Sequence, residues 1–205
     1  YLSALAEMHL NDSVNRLLHR YDVATEQLYD RVIENFDGGE NTVTDEELRA
    51  FFLSDDCRRI TWVFRSYDNV LGIGEEQNER LLGLAEAELK NAIVYSDVKA
   101  AVVKYCSPSL SNDEIENGIY ISRFSGLDAS QRKMIDVAFS LGNMDVSDRI
   151  ATPDGVYILV GLRKHGVDSD YFESHREMLY DLCLESRLFA EIEELRDEML
   201  ADILY

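Results

Sequence analysis

The chain has 205 residues, 46% of them hydrophobic, with only 2 prolines and 11 glycines, which is enough apolar material for one or two domains with packed cores. Lysine and arginine number 20 against 40 aspartates and glutamates, giving a formal net charge of -20. That balance excludes nucleic acid and anionic lipid surfaces as partners, because both demand clustered cations.

From Tyr1 to about Phe36, apolar residues recur at helical spacing (Leu10, Val14, Leu17 and Leu18, then Val23, Leu28, Val32 and Ile33) and predict two helices. Asp37-Gly38-Gly39-Glu40-Asn41 interrupts the pattern. Thr44, with Glu47 three positions on, then has the form of a capping box and predicts a short helix through Leu53. Ile60-Thr61-Trp62-Val63-Phe64 is β-branched and aromatic and reads as a strand, and Gly72 and Gly74 end the loop after it. Glu75 to Tyr95 predicts a helix with Leu81, Leu82, Ala85, Leu89 and Ile93 on one stripe, and Val98 to Tyr105 a second, shorter one.

Ser107 to Asn112 has loop composition, Ile119 to Ile121 is a strand candidate, and Ser130 to Leu141 a helix. The turn Pro153-Asp154-Gly155 leads into a last strand, Val156 to Leu162. Beyond Gly166 the helical period returns, with Leu188, Ile192, Leu195 and Met199 along one face. This long stripe needs a partner, and the N-terminal helices are expected to supply it, so that both ends form one helical lobe. The order strand, helix, helix, strand, helix, strand predicts an α+β domain whose helices cover a small sheet. The expected organisation is an N-terminal helical segment over 1–55, the α+β domain over 56–165 and a C-terminal helix over 166–205.

Most chemistry-bearing patterns fail on spacing. Asp37 to Glu47 puts Asn41 where a calcium loop needs glycine, and Gly72-Ile73-Gly74 lacks the third glycine of a dinucleotide turn. His9, His19, His165 and His175 lack the one-turn spacing that grips a metal and read as surface helix residues. Cys57, Cys106 and Cys183 are odd in number and widely spread, as expected of small packing residues. No serine sits in a nucleophile elbow. Neither metal nor cofactor is expected. The acidic stretch Glu185 to Asp197 reads as a solvated face, and its charge would keep a protein that exposes apolar surface from associating with itself. No run approaches the ~20 apolar residues of a membrane span. The start at Tyr1, without an initiator methionine or a leader, is expected of a mature or trimmed chain and is silent on export.

The block from about Asp56 to Lys164 resembles the parvulin (PpiC-type) peptidyl-prolyl isomerase family. Its C-terminal half carries the resemblance best. Val137-Ala138-Phe139-Ser140-Leu141, Asp145-Val146-Ser147 and Ile150 to Leu159 follow that family's run of A-F-x-L, G-x-[IV]-S and [IV]-x-T-x-x-G-[YW]-H-I-[IL]. Arg58 to Arg65 is similar to the family's opening strand, and Tyr95 to Cys106 to its following helix. Val43 to Leu48 ahead of the block and the long helix behind it resemble the arrangement of the multi-domain SurA- and PrsA-like members.

The resemblance implies an extracytoplasmic folding chaperone or foldase that binds unfolded or extended polypeptide clients, periplasmic or lipid-anchored at the outer side of the membrane. Membrane contact is expected only through an anchor outside these 205 residues. The implied reaction is rotation about X-Pro bonds, which needs an apolar pocket and a hydrogen-bond network but no cofactor. The two family histidines of that network fall on Thr61 and Tyr157, the implied catalytic positions. The implied proline pocket falls on Gln131, Met134 and Phe139. With both histidines replaced, isomerase activity is expected to be weak or lost. Two other readings stay open: an active isomerase using the Thr61 and Tyr157 hydroxyls, and an acidic helical scaffold that binds one fixed partner.

Overall fold

The computed structural model describes residues 42–67, 74–124 and 129–204, and among these the side chains of all but 129, 130 and 192–204. The two N-terminal helices expected before Phe36, the Asp37 to Asn41 break, Gly72, His9 and His19 lie outside the described residues. In chain order the elements are α1 (Asp45–Leu53), β1 (Cys57–Ser66), α2 (Glu75–Asn91), α3 (Tyr95–Tyr105), α4 (Asn112–Asn117) and β2 (Ile119–Ser122). There follow α5 (Ala129–Ser140), β3 (Ile150–Ala151), β4 (Gly155–Leu162), α6 (Asp170–Ser174) and α7 (Arg176–Leu204). The class is α+β: a four-stranded antiparallel sheet in the order β2-β1-β4-β3, with helices on its faces. Residues 44–186 form one compact unit; 187–205 belong to a second.

Local chemistry explains the boundaries. The Thr44 hydroxyl accepts from the Glu47 amide at 3.3 Å while the Glu47 carboxylate accepts from the Thr44 amide at 2.8 Å, the capping box expected at the start of α1. The long helix expected to reach Tyr95 stops at Asn91. Asp97 is the reason: its carboxylate accepts from the amides of Ile93 and Val94 and starts a new helix, α3. The short α4 went unexpected, although Ser111 and Glu114 form a second capping box at its start. Gly118 then turns the chain at φ +68, a left-handed conformation in which a Cβ would stand 2.8 Å from the Ile60 carbonyl oxygen.

Strand β1 is the centre of the fold because it pairs with β2 on one side and β4 on the other. Alternate side chains leave it on opposite faces. Val63, together with Ile158, Val160 and Leu162 of β4, packs under Leu82, Ala85 and Leu89 of α2 and Val98, Ala101 and Val102 of α3, all of them buried. On the other face Ile60, Ile150 and Leu159 meet Ala138 of α5. Cys57, Cys106 and Cys183 are buried free thiols, and burial pushes Cys57 up to about 12, so it stays protonated.

Candidate functional site

The register of β1 against β4 decides which candidate residues can meet. Thr61 pairs with Val160, Trp62 with Leu159 and Phe64 with Tyr157. By alternation Thr61 shares the α2/α3 face with Val63 and Val160, where it is 1% exposed. Tyr157 leaves the opposite face with Trp62 and Phe64. Thr61 and Tyr157 therefore cannot act on one substrate from the same side. The physical reason is the period of two: displacing an alignment by one residue along a strand moves the side chain through the sheet. Phe64 is the residue that stands opposite Tyr157.

Three aromatic rings gather there. The Phe64 and Tyr157 rings lie 4.3 Å apart between centroids at 31°, and Trp62 meets Tyr157 edge-on at 6.3 Å and 70°. Gly155 makes room for this group, since a Cβ at the start of β4 would stand 2.6 Å and 2.8 Å from Cε2 and Cζ of Phe64. Met134 of α5 packs against the same cluster as Tyr157 and Trp62. All four side chains are half-buried. Burial, with the Asp154 carboxylate adding to it, pushes the Tyr157 phenol above its ordinary value, so it stays a neutral hydroxyl at physiological pH.

The remaining candidates stand elsewhere. Gln131 is exposed in the first turn of α5. Phe139, at the end of that helix, lies under the Arg123 guanidinium, 4.6 Å from the ring centroid, and Arg123 is itself tied to Asp56 at 3.2 Å just before β1. Phe139 thus lies by the Arg123–Asp56 pair near the start of β1, whereas Tyr157 pairs with Phe64 towards its end. The structure joins Met134 and Tyr157 and leaves Thr61 and Phe139 apart from them.

The support behind Tyr157 accounts for the Asp145-Val146-Ser147 run. Segment 144–147 lies along the outer edge of β4, with the Met144 amide donating to Gly161 at 2.7 Å and Gly161 to Asp145 at 3.0 Å. The Ser147 hydroxyl accepts from the Leu159 amide at 2.9 Å and donates to the Asp148 carbonyl at 2.7 Å, so a side chain fills a place in the ladder. Ile150 then pairs with Tyr157, which fixes that strand between two neighbours.

Trp62 and Phe64 were missed as site residues because the run Ile60 to Phe64 is apolar at nearly every position, so its sequence does not show which residues share a face. The parity was recoverable from one pairing, Gly155 against Ser66 at the strand ends. Among the described residues no group of His, Cys, Asp and Glu is placed to hold a metal ion, and no helix is long and apolar enough to cross a membrane.

No family model and no curated protein matches the chain. Solved structures similar to it include foldase protein PrsA from Streptococcus pneumoniae, at 17% identity and a TM-score of 0.40 over 94% of this chain and 62% of that one. PrsA from Bacillus subtilis is similar at 17% identity and a TM-score of 0.40, over 96% and 70% of the two chains. A structure described among the SurA-like chaperones of Campylobacter jejuni is similar at 10% identity and a TM-score of 0.36, over 98% and 74%. The chain thus spans 62% of the length of the pneumococcal protein.

Proposed function

We propose that this chain is a folding chaperone or foldase acting outside the cytoplasm, which holds extended segments of unfolded clients on the aromatic shelf of Trp62, Phe64 and Tyr157 beside Met134. The observation that carries this reading is the half-buried ring cluster at the end of β1 and β4, partly exposed among the described residues of a protein of net charge -20. Aromatic faces bind apolar side chains and proline rings without needing a fixed sequence. The strong negative charge keeps copies of the chain apart while that surface is exposed. In this reading 56–165 is a parvulin-like domain and the helical ends, 1–55 and 166–205, are the chaperone lobe.

Isomerase activity is weak or absent in this reading. Speeding rotation about a barrier of ~18–20 kcal/mol requires binding the twisted amide better than either planar form. Thr61 faces the closed core, which leaves Tyr157 as the one hydroxyl of the two implied catalytic positions on the shelf side. The test pairs two measurements: proline-peptide isomerisation, and suppression of aggregation of several unrelated unfolded proteins. Slow isomerisation with broad suppression that falls in Phe64→Ala supports the proposal. Turnover at the rate of ordinary parvulins that is lost in Tyr157→Phe would make the chain an active isomerase, and one saturable partner without suppression would make it a scaffold.

A further inference from the structure

A second built cluster lies away from the shelf, where α6 and the root of α7 meet the sheet. Tyr171 of α6 is buried, and its ring stacks with His165 at 4.3 Å and 22° and with His175 at 3.9 Å and 13°. Both histidines, expected to be surface helix residues, are half-buried here. His175 sits between α6 and α7, and its carbonyl accepts from the Leu179 amide at 3.0 Å, so the first turn of α7 hangs on it.

The two imidazoles meet opposite surroundings. On His175, Nδ1 lies 3.0 Å from the Tyr171 carbonyl oxygen and Nε2 lies 3.2 Å from each oxygen of Asp113 on α4. The Ser174 hydroxyl, 2.9 Å from Nδ1, has the Asp170 carbonyl as its nearest acceptor at 2.7 Å. Both ring nitrogens of His175 thus face oxygen atoms. On His165, Nδ1 lies 3.0 Å from the Tyr120 hydroxyl, whose oxygen accepts from the His165 amide at 2.8 Å. The network assigns the hydroxyl hydrogen to Nδ1 and the ring hydrogen to Nε2. Protonating His165 would set a second N–H against the Tyr120 oxygen and leave the hydroxyl hydrogen without its acceptor.

The charges nearby act the same way. Arg59, held by the carbonyls of Asn117 and Arg163, stands on the β1 side, and His175 on the other. Burial, Arg59 and His175, in that order, pull His165 from 6.5 down to about 4. Around the root, Arg49 of α1 pairs with Glu173 and Asp168, and Arg176 pairs with Asp45.

We propose that His165, Tyr171 and His175 form an acid-sensitive latch, which holds the root of α7 on the sheet unit while His165 is neutral and releases it once His165 is protonated. The sign follows from the direction of the shift. Unfolded or released chain takes up the proton at about 6.5 and latched chain only at about 4, so stability is full above the first value and falls as pH drops toward the second. The latch concerns the attachment of α7 and stands apart from the client-binding reading.

The test uses the whole chain: histidine-ring NMR and backbone hydrogen exchange between pH about 6.5 and about 4. We expect His165 to keep its hydrogen on Nε2 and to titrate near the lower value, with protection of residues 170–183 falling in step while β1 and β4 keep theirs. In His165→Phe, which retains a ring on Tyr171 but cannot titrate, protection at the acid end should exceed that of the natural chain by about a hundredfold, the factor that a fall from 6.5 to about 4 implies. Titration of His165 near 6.5, protection of 170–183 that does not change with pH, or its loss in one step with the sheet overturns the latch. Should the variant fail to fold, the measurements on the natural chain decide the matter alone.

Discussion

The two faces of the sheet are filled by different means. Under α2 and α3, Val63, Ile158 and Val160 are fully enclosed, and Leu82, Leu89, Val98 and Val102 close over them. Under α5 a smaller group, Ile60, Ala138, Ile150 and Leu159, is enclosed, and the rings of Trp62, Phe64 and Tyr157 continue from it into half-exposed positions. One face thus supplies stability by excluding water, and the other leaves its rings partly exposed among the described residues. Both depend on the same two strands, β1 and β4.

The contrast is broken most directly from the closed face. Leu89→Ala removes a side chain that is 2% exposed and should cost about 2–5 kcal/mol by urea unfolding; a cost under about 1 kcal/mol would mean that this face is not the main core. Gly155→Ala comes next. Its methyl would collide with the Phe64 ring and the Arg65 carbonyl oxygen, so a loss of about 1–3 kcal/mol is expected, with a changed near-ultraviolet circular dichroism from the displaced rings.

Phe64→Ala sharpens the comparison from the open face. We expect a stability loss of about 1–2 kcal/mol together with roughly tenfold weaker binding of unfolded clients, and unchanged client binding would detach the shelf from function. The smallest effect belongs to Arg149→Ala. This side chain pairs with Glu79 and Glu86 on the outside of α2, and the Glu86 carboxyl is lowered by hydrogen bonds from Lys90 first and Arg149 second. Exposed pairs of this kind contribute about 0.2–1 kcal/mol, which thermal unfolding at low and high salt should resolve.

Much of the architecture was legible because each element announces itself locally. Thr44 and Glu47 mark the start of α1, the β-branched run from Ile60 marks β1, and Pro153-Asp154-Gly155 marks the turn into β4. The same logic would have found α4, whose Ser111 and Glu114 repeat the capping pattern, but the surrounding loop composition masked it. The two-residue β3 has no signature, since its pairing is set by β4 rather than by its own residues. The site was harder. Tyr157 and Met134 pack against one cluster while Thr61 leaves the other face of the sheet, because a motif carries spacing but not strand parity. His165 and His175 gave no warning either, because the stack that joins them depends on Tyr120 and Tyr171 arriving from separate elements.

The margins of the sheet are short or irregular. On one side β2 spans Ile119–Ser122, four residues; on the other, β4 is flanked by the two residues of β3 and by segment 144–147, in which Met144 adopts φ 66 and a serine hydroxyl stands in for a backbone acceptor. A foreign strand that tried to add at such a margin would find few consecutive amides and carbonyls in line. In the proposed chaperone reading, unfolded clients find rings to lie against and hardly any ladder to extend, which keeps transient holding from turning into fibre growth.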